Sequence, residues 1–315
     1  MKLNVLKQAS LPDALAAELA RRYHLVELTA LTDADFRALA GTFTMLITNG
    51  EATVTRELIA SLPALELIAV FGVGYDGVDV QAAAEHQVRV SHTPGVLTDD
   101  VADLALGLML ATSRQIVAAH KFIEAGEWAA GGFPWTQKVS GSRVGIVGMG
   151  RIGQAIARRC EGFAMQIAYH DRKRLPALNY AWREDLLTLA AESDFLVICT
   201  PGTAANQGLI NQPVLAALGE KGILINISRG SVIDEPALVA ALENGIIAGA
   251  GLDVFSHEPA VPAGLLQRSN VVVTPHMASA TWSTRAAMAQ LVLDNVACWA
   301  EKKALLTPVA ESLAD

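Results

Sequence analysis

The chain has 315 residues, of which 52% are hydrophobic and 18% charged, and its formal net charge is -8. That length suggests about two domains of ~150 residues each, and the composition excludes a disordered chain. The acidic balance, with no basic run, argues against a nucleic-acid partner, but not against an anionic substrate, for which one or two local arginines suffice.

No stretch of about 18 uncharged apolar residues is present, so no membrane span is expected. The opening "MKLNVLKQASLPDALAAEL" lacks the long apolar run of a signal peptide. Cys160, Cys199 and Cys298 form no C-x-x-C pair. An odd, sparse set reads as free thiols in a reducing cytoplasm.

In chain order, strand-like runs come first at "LNVLKQ", "HLVEL", "TMLITNG", "LELIAVFG" and "VRVSHT", with helix candidates such as "DALAAELARRY" between them. Near residue 100 the pattern breaks. "TDDVADLALGLMLATSRQIVAAHKFIEAGEW" then reads as one uninterrupted helix of about 30 residues, capped by Thr98 or Asp99. A Gly- and Pro-containing connector, "AAGGFPWTQKVSG", follows. A second series runs through "RVGIVGMG", "QIAYHD", "DFLVICTP", "GILINIS", "IAGAGLDV" and "NVVVTPH", with "RIGQAIARRCEGF", "VLAALGE" and "EPALVAALENG" as helices between. Strands that alternate with helices and are continuous in Val, Ile and Leu form parallel sheets covered on both faces. The last helix, "SATWSTRAAMAQLVLDNVACWAEKK", can fold back on the first domain and make it discontinuous.

G-x-G-x-x-G occurs twice, at Gly72, Gly74 and Gly77 and at Gly148, Gly150 and Gly153. The second copy follows a strand and opens a helix. There Gly148 permits the tight turn, Gly150 lets backbone approach a pyrophosphate, and Gly153 allows close helix–strand packing. The helix N-terminus offers free N–H groups and a positive dipole to phosphate. The first copy lacks this context, since its next strand, "VRVSHT", has no acid or arginine at its end. It is either a turn at a strand edge or a cradle in which the N–H groups of Val73 and Gly74 hold a small anion.

The next strand after the second motif ends in "YHDRKR". An acid there reads the ribose 2′-hydroxyl of NAD, and an arginine accommodates the 2′-phosphate of NADP. Arg172, Lys173 and Arg174 favour NADP(H) over NAD(H), while Asp171 opposes it. No P-loop, H-E-x-x-H or G-x-S-x-G is present, and the histidines show no metal-ligand spacing, so no metal is expected. Arg229, Glu258 and His276 each lie at or just beyond a strand end, the edge where parallel sheets bind ligands.

"VGIVGMGRIGQAIARR", "NISRGSVIDEPALVAAL", "GAGLDVFSHEP", "VVVTPHMASATWSTR", "FGVGYDGVD" and "HTPGVLTDDVADLALGLML" together resemble the D-isomer-specific 2-hydroxyacid dehydrogenase family. The resemblance covers essentially the whole chain in order. It is greatest to the glyoxylate and hydroxypyruvate reductases, with hydroxyphenylpyruvate reductases close by. It implies an α/β protein of two doubly wound parallel-sheet domains with a cleft between. A flavodoxin-like substrate domain would comprise 1–98 plus 288–315, and a Rossmann cofactor domain 99–287. It also implies roles. His276 would protonate the carbonyl oxygen as hydride arrives, Glu258 would favour the protonated ring, and Arg229 would bind the carboxylate and polarise the carbonyl. Val73 and Gly74 would hold the substrate carboxylate. Arg151 and Ile152 would meet the pyrophosphate, and His170 and Arg172 the ribose phosphate. Thr98, Thr200, Ile227 and Asp253 would line the nicotinamide half.

Two departures from the family pattern stand out. His170 replaces the acid that follows the strand's aromatic residue in NAD-type members, and Met277–Ala278 stands where glycine is frequent. Trp282 is expected either to narrow the pocket or to pack at the domain junction. The function so implied is NADPH-dependent reduction of small 2-oxo acids in a cytoplasmic homodimer, formed through the long helix and "GEWAAGGFPW". Reduction of bulkier 2-oxo acids, with Leu97, Trp135 and Trp282 shaping the choice, is the alternative within enzymes. A dinucleotide-sensing binding protein or corepressor is the alternative outside them.

Overall fold

Parallel strand pairing organises both parts of this chain in a computed structural model whose described residues are 2–312. The chain divides into two units. One comprises the residues up to 97 together with those from 280 onward, and the other residues 98–279.

The first unit runs β1 (Asn4–Lys7), α1 (Asp13–Arg22), β2 (His24–Glu27), α2 (Asp33–Leu39), β3 (Phe43–Asn49), α3 (Arg56–Ala60), β4 (Leu67–Phe71), α4 (Val80–Glu85) and β5 (Arg89–Ser91). Its strands lie in the order β2-β1-β3-β4-β5, all parallel. This is the flavodoxin-like order, with its switch point between β1 and β3. Every residue of β4 is buried, as a central strand covered on both faces requires. The short helices start on side-chain caps: Thr32, Thr55 and Asp79 each accept a main-chain N–H from the first turn.

The second unit runs α5 (Thr98–Ser113), α6 (Ile116–Glu124), β6 (Arg143–Val147), α7 (Arg151–Gly162), β7 (Gln166–His170), β8 (Ala181–Trp182), α8 (Leu186–Ala191), β9 (Phe195–Ile198), α9 (Gln212–Leu218), β10 (Ile223–Asn226), α10 (Glu235–Glu243), β11 (Gly249–Leu252), α11 (Ala263–Leu266) and β12 (Val271–Val273). Its sheet is β12-β11-β10-β9-β6-β7-β8, again all parallel. Counted from β6, this is the dinucleotide-fold order with one further strand, and its switch point lies between β6 and β9. Leu196, Ile198, Leu224 and Leu252 from the sheet join Leu215 and Leu238 from the helices in one core.

The long helix expected after Thr98 is two helices. Gln115 takes a left-handed conformation at φ 49°, and α5 and α6 bend by 53° across it. The apolar face of α5 (Val101, Ala105, Leu108 and Met109) is buried, which accounts for its hydrophobic run. Among the described residues no single helix is long and apolar enough to cross a membrane, and α5 with α6 passes that test only as a bent pair. Arg159 on α7 pairs with Asp99 and Asp103 on α5 at 3.1 and 2.5 Å, tying the two helices together. The edge strand β8 has only two residues, too few for any periodic signal.

From residue 280 the chain re-enters the first unit. There α12 (Trp282–Ala300) starts on a Thr281 cap and buries Met288, Val292, Leu293 and Val296. The expected boundary at 288 would cut this helix. A helix moves as one body, and all of α12 belongs to the first unit. Likewise Thr98 falls in the second unit, so the first boundary lies at 97/98. Trp282 is 96% exposed and does not pack. Leu97, by contrast, is buried. Beyond α12, Pro308 bridges antiparallel to Ser91, and the Val309 N–H donates to the Val90 carbonyl at 2.8 Å.

Candidate active site

The first glycine motif does not open a helix, because α4 begins only at Val80. Its glycines answer to a neighbouring turn instead. A Cβ on Gly77 would stand 2.4 Å from the Ala52 carbonyl oxygen, and one on Gly72 would stand 3.1 Å from the Gly50 Cα. Between them, at the carboxyl end of β4, lies the half-buried pair Val73 and Gly74.

The second motif has the helix the first lacks. Gly148 follows β6 at φ +94°, and a Cβ there would meet the Thr200 main-chain nitrogen at 2.9 Å. Gly150 caps α7, so Arg151, Ile152 and Gly153 form its first turn. A Cβ on Gly153 would stand 2.2 Å from the Gly148 carbonyl oxygen, so only glycine lets α7 approach β6 this closely. A Cβ on Gly150 would meet nothing within 4 Å. The turn therefore faces open space at the positive end of a helix of 12 residues, which fits a dinucleotide pyrophosphate. The Cys199 thiol donates to the Gly148 carbonyl at 3.3 Å, and burial pushes its pKa up, so it remains a thiol.

At the tip of β7, Asp171 turns inward. One carboxylate oxygen accepts the Met149 N–H at 2.9 Å and the other the Arg172 N–H at 2.7 Å. Asp171 thus braces the glycine turn. His170 Nδ1 donates to the Arg183 carbonyl at 3.1 Å. Thr200, just past β9, accepts from the Asn206 amide at 2.9 Å.

Three further strand ends carry the polar groups. The last residue of β10, the fully buried Asn226, shapes the turn that follows: its oxygen accepts the N–H and hydroxyl of Ser228, and its nitrogen donates to the Arg229 carbonyl at 3.0 Å. Ile227 is buried beside it. Arg229 crosses the face of Gly202, where a Cβ would stand 2.7 Å from the arginine Cγ. The adjoining Gly230 packs directly on the 255–256 peptide, where a Cβ would lie 1.9 Å from the Phe255 carbonyl carbon. Glu235 accepts the Ser256 N–H at 2.9 Å. The arginine loop and the Glu258 loop are therefore one joined structure.

Glu258 accepts the Phe255 N–H at 2.9 Å on one oxygen and the His276 Nδ1 at 2.7 Å on the other. The two side chains are 28% and 27% exposed. Burial alone would raise the Glu258 carboxyl. The His276 hydrogen bond, the Phe255 amide and the charges of His276 and Arg229 outweigh it and hold the group below the usual carboxylate range. His276 itself sits at φ 47°, left-handed for a side chain that rarely adopts it. Asp253 sets this turn. Its fully buried carboxylate accepts the Thr274 hydroxyl at 2.6 Å and the N–H groups of Met277 and Ala278 at 2.9 Å each. Burial raises the Asp253 carboxyl, against those three hydrogen bonds.

Glu258 and His276 are thus in contact, with Arg229 on the loop packed beside them. Thr98 opens α5 in the same unit, whereas Val73 and Gly74 belong to the other. Sequence reasoning missed Asn226 and Glu235, which shape these loops. The one visible signal was a polar residue ending the apolar run "ILIN".

Comparison with known proteins adds four findings. A family profile described as D-isomer specific 2-hydroxyacid dehydrogenase, NAD binding domain, matches residues 106–278. The chain is 46% identical to a hydroxyphenylpyruvate reductase of Plectranthus scutellarioides, over 98% of this chain and 99% of that protein. It is 40% identical, with the same coverage, to a glyoxylate/hydroxypyruvate reductase A of Arabidopsis thaliana. Among solved structures, an NADPH-dependent glyoxylate/hydroxypyruvate reductase of Sinorhizobium meliloti, in complex with NADP and malonate, superposes with a TM-score of 0.92 at 42% identity, covering 99% of this chain and 98% of that one.

Proposed function

We propose, starting from the fact that this chain belongs to the D-isomer-specific 2-hydroxyacid dehydrogenase family, that it reduces small 2-oxo acids, glyoxylate and hydroxypyruvate first, to D-2-hydroxy acids with NADPH. The observation that carries this reading is the His276–Glu258 pair at 2.7 Å on a loop joined to that of Arg229.

When bound, the nicotinamide supplies the hydride. Gly148, Gly150 and the first turn of α7, from Arg151 and Ile152 to Gly153, hold the pyrophosphate. His170 and Arg172 hold the ribose phosphate, and Thr98, Thr200, Ile227 and Asp253 border the nicotinamide half. The use of Asp171 as a brace supports NADP(H) over NAD(H), because its carboxylate is committed to two main-chain N–H groups. Val73 and Gly74 have the role of N–H donors to a carboxylate, and Arg229, whose planar fork suits that group, the role of its cation. Arg229 also stabilises charge developing on the carbonyl oxygen. His276 gives that oxygen its proton from Nε2. Glu258, bound to Nδ1, orients the ring and favours its protonated form.

The relative at 46% identity also supports a second reading, reduction of aryl 2-oxo acids such as hydroxyphenylpyruvate. We take the enzyme to be a cytoplasmic homodimer. Ile116, Ile123, Trp128 and Trp135 on α6 and the connector are exposed apolar side chains that suit such a contact.

The deciding experiment follows loss of reduced-nicotinamide absorbance with NADPH and NADH crossed against glyoxylate, hydroxypyruvate, pyruvate and hydroxyphenylpyruvate. Fast turnover of the small acids with NADPH is expected. Preference for NADH would overturn the cofactor assignment, preference for hydroxyphenylpyruvate would favour the second reading, and no turnover with any pair would return weight to a dinucleotide-sensing role.

A further inference from the structure

We propose that His92 is a positioning residue that fixes the carboxylate cradle at Val73 and Gly74, an inference that rests on the cradle reading above. In a planar trans peptide the carbonyl and the following N–H point in opposite directions, so holding one aims the other. Two peptide planes form the cradle, and the segment after β5 holds the back of each. The Thr93 N–H donates to the Gly72 carbonyl at 2.8 Å, which aims the Val73 N–H. His92 Nδ1 donates to the Val73 carbonyl at 2.9 Å, which aims the Gly74 N–H. A donor on a carbonyl also polarises its own peptide and strengthens the N–H on the other side.

The imidazole is held in turn. Its ring meets Tyr75 edge to face, with centroids 5.2 Å apart at 88°. Its main chain is clamped by one residue, Thr307: the His92 N–H donates to the Thr307 carbonyl at 3.2 Å, and the Thr307 hydroxyl donates to the His92 carbonyl at 2.6 Å. Thr307 is fixed by the buried Asn295 of α12, whose amide donates to the Thr307 hydroxyl at 2.9 Å and accepts the Leu306 and Thr307 N–H groups at 3.0 and 3.1 Å. A relay of side chains therefore runs from α12 through the C-terminal segment to the cradle. Only its last member, the imidazole, bonds the cradle through a side chain. Because the Thr307 clamp is main-chain at residue 92, substitution of His92 leaves it intact.

Two variants test this. His92→Phe keeps a ring against Tyr75 and loses the donor, whereas His92→Asn keeps a donor near the Nδ1 position and loses the ring. His92→Phe should raise KM for glyoxylate about tenfold, the scale of one lost hydrogen bond to a carbonyl that orients a binding group. It should weaken oxalate binding, measured by calorimetry, by the same factor, with the melting temperature and NADPH dissociation constant unchanged and kcat within about twofold. His92→Asn should restore KM to within about twofold. An unchanged KM in His92→Phe, or a KM equally high in both variants, overturns the role of the donor. A fall in melting temperature and NADPH affinity along with KM assigns His92 to the core instead. A wild-type protein that neither reduces a 2-oxo acid nor binds oxalate removes the cradle itself, and this inference with it.

Discussion

Asp171 separates two accounts of the cofactor site. It lies one residue beyond the place of an acid that reads a ribose hydroxyl, and its carboxylate is occupied by the N–H groups of Met149 at 2.9 Å and Arg172 at 2.7 Å. In Asp171→Ala both lose their acceptor. Arg172 is exposed, so water replaces it there, whereas Met149 is buried inside the glycine turn. One buried N–H left without a partner costs about 1–2 kcal/mol, which corresponds to a factor of about 5–30 in an equilibrium. That loss falls on the turn shared by both cofactors. Titration by quenching of tryptophan fluorescence should therefore show NADPH and NADH weakened by the same factor within that range. If the variant binds NADPH more tightly and NADH less, Asp171 reads the ribose and the bracing account is wrong.

Four further outcomes are expected. Gly153→Ala places a methyl group 2.2 Å from the Gly148 carbonyl oxygen, main chain against main chain, and should lower stability by about 1–3 kcal/mol, seen as a lower urea midpoint with unchanged slope. Arg172→Ala should weaken NADPH about tenfold or more and leave NADH unchanged in the same titration, since it removes a charge-assisted bond to a phosphate; equal weakening of both would show that it does not read the 2′-phosphate. His276→Ala should cut kcat by about 10²–10⁴ with NADPH affinity retained, as loss of a general acid does; loss of affinity with turnover per bound cofactor retained would remove it from that role. Glu258 is held below the ordinary carboxylate range, so its stabilisation is present above that range and fades as pH falls through the lowered value. Glu258→Gln should abolish that acid-side dependence in melting-temperature scans. It should also shift the basic limb of the kcat profile to lower pH, because no anion then favours the protonated ring.

The strands were legible because runs such as "LELIAVF" and "GILINI" are apolar on both faces, a pattern that parallel burial alone requires. Gly148 and Gly153 were legible for a steric reason that does not depend on distant residues. The break at Gln115 was not, because an ordinary polar residue takes the left-handed turn there and no glycine marks it. Neither was the bracing use of Asp171, since the amide it accepts comes from another strand's loop and position alone suggests a ribose contact. Asn226, Glu235 and His92 escaped for the same reason. Each acts on a main-chain group that tertiary packing brings to it, and nothing in the local pattern names that partner.

The return of α12 to the first unit also sets an order of assembly. During synthesis, residues 98–279 leave the ribosome as one continuous stretch and can complete their seven-stranded sheet at once. The first unit makes its five strands earlier but has to wait with part of its β4 core uncovered until the helix at Trp282–Ala300 emerges. The half of the protein made first is therefore finished last, and its apolar surface stands open to aggregation and to chaperones for the whole interval.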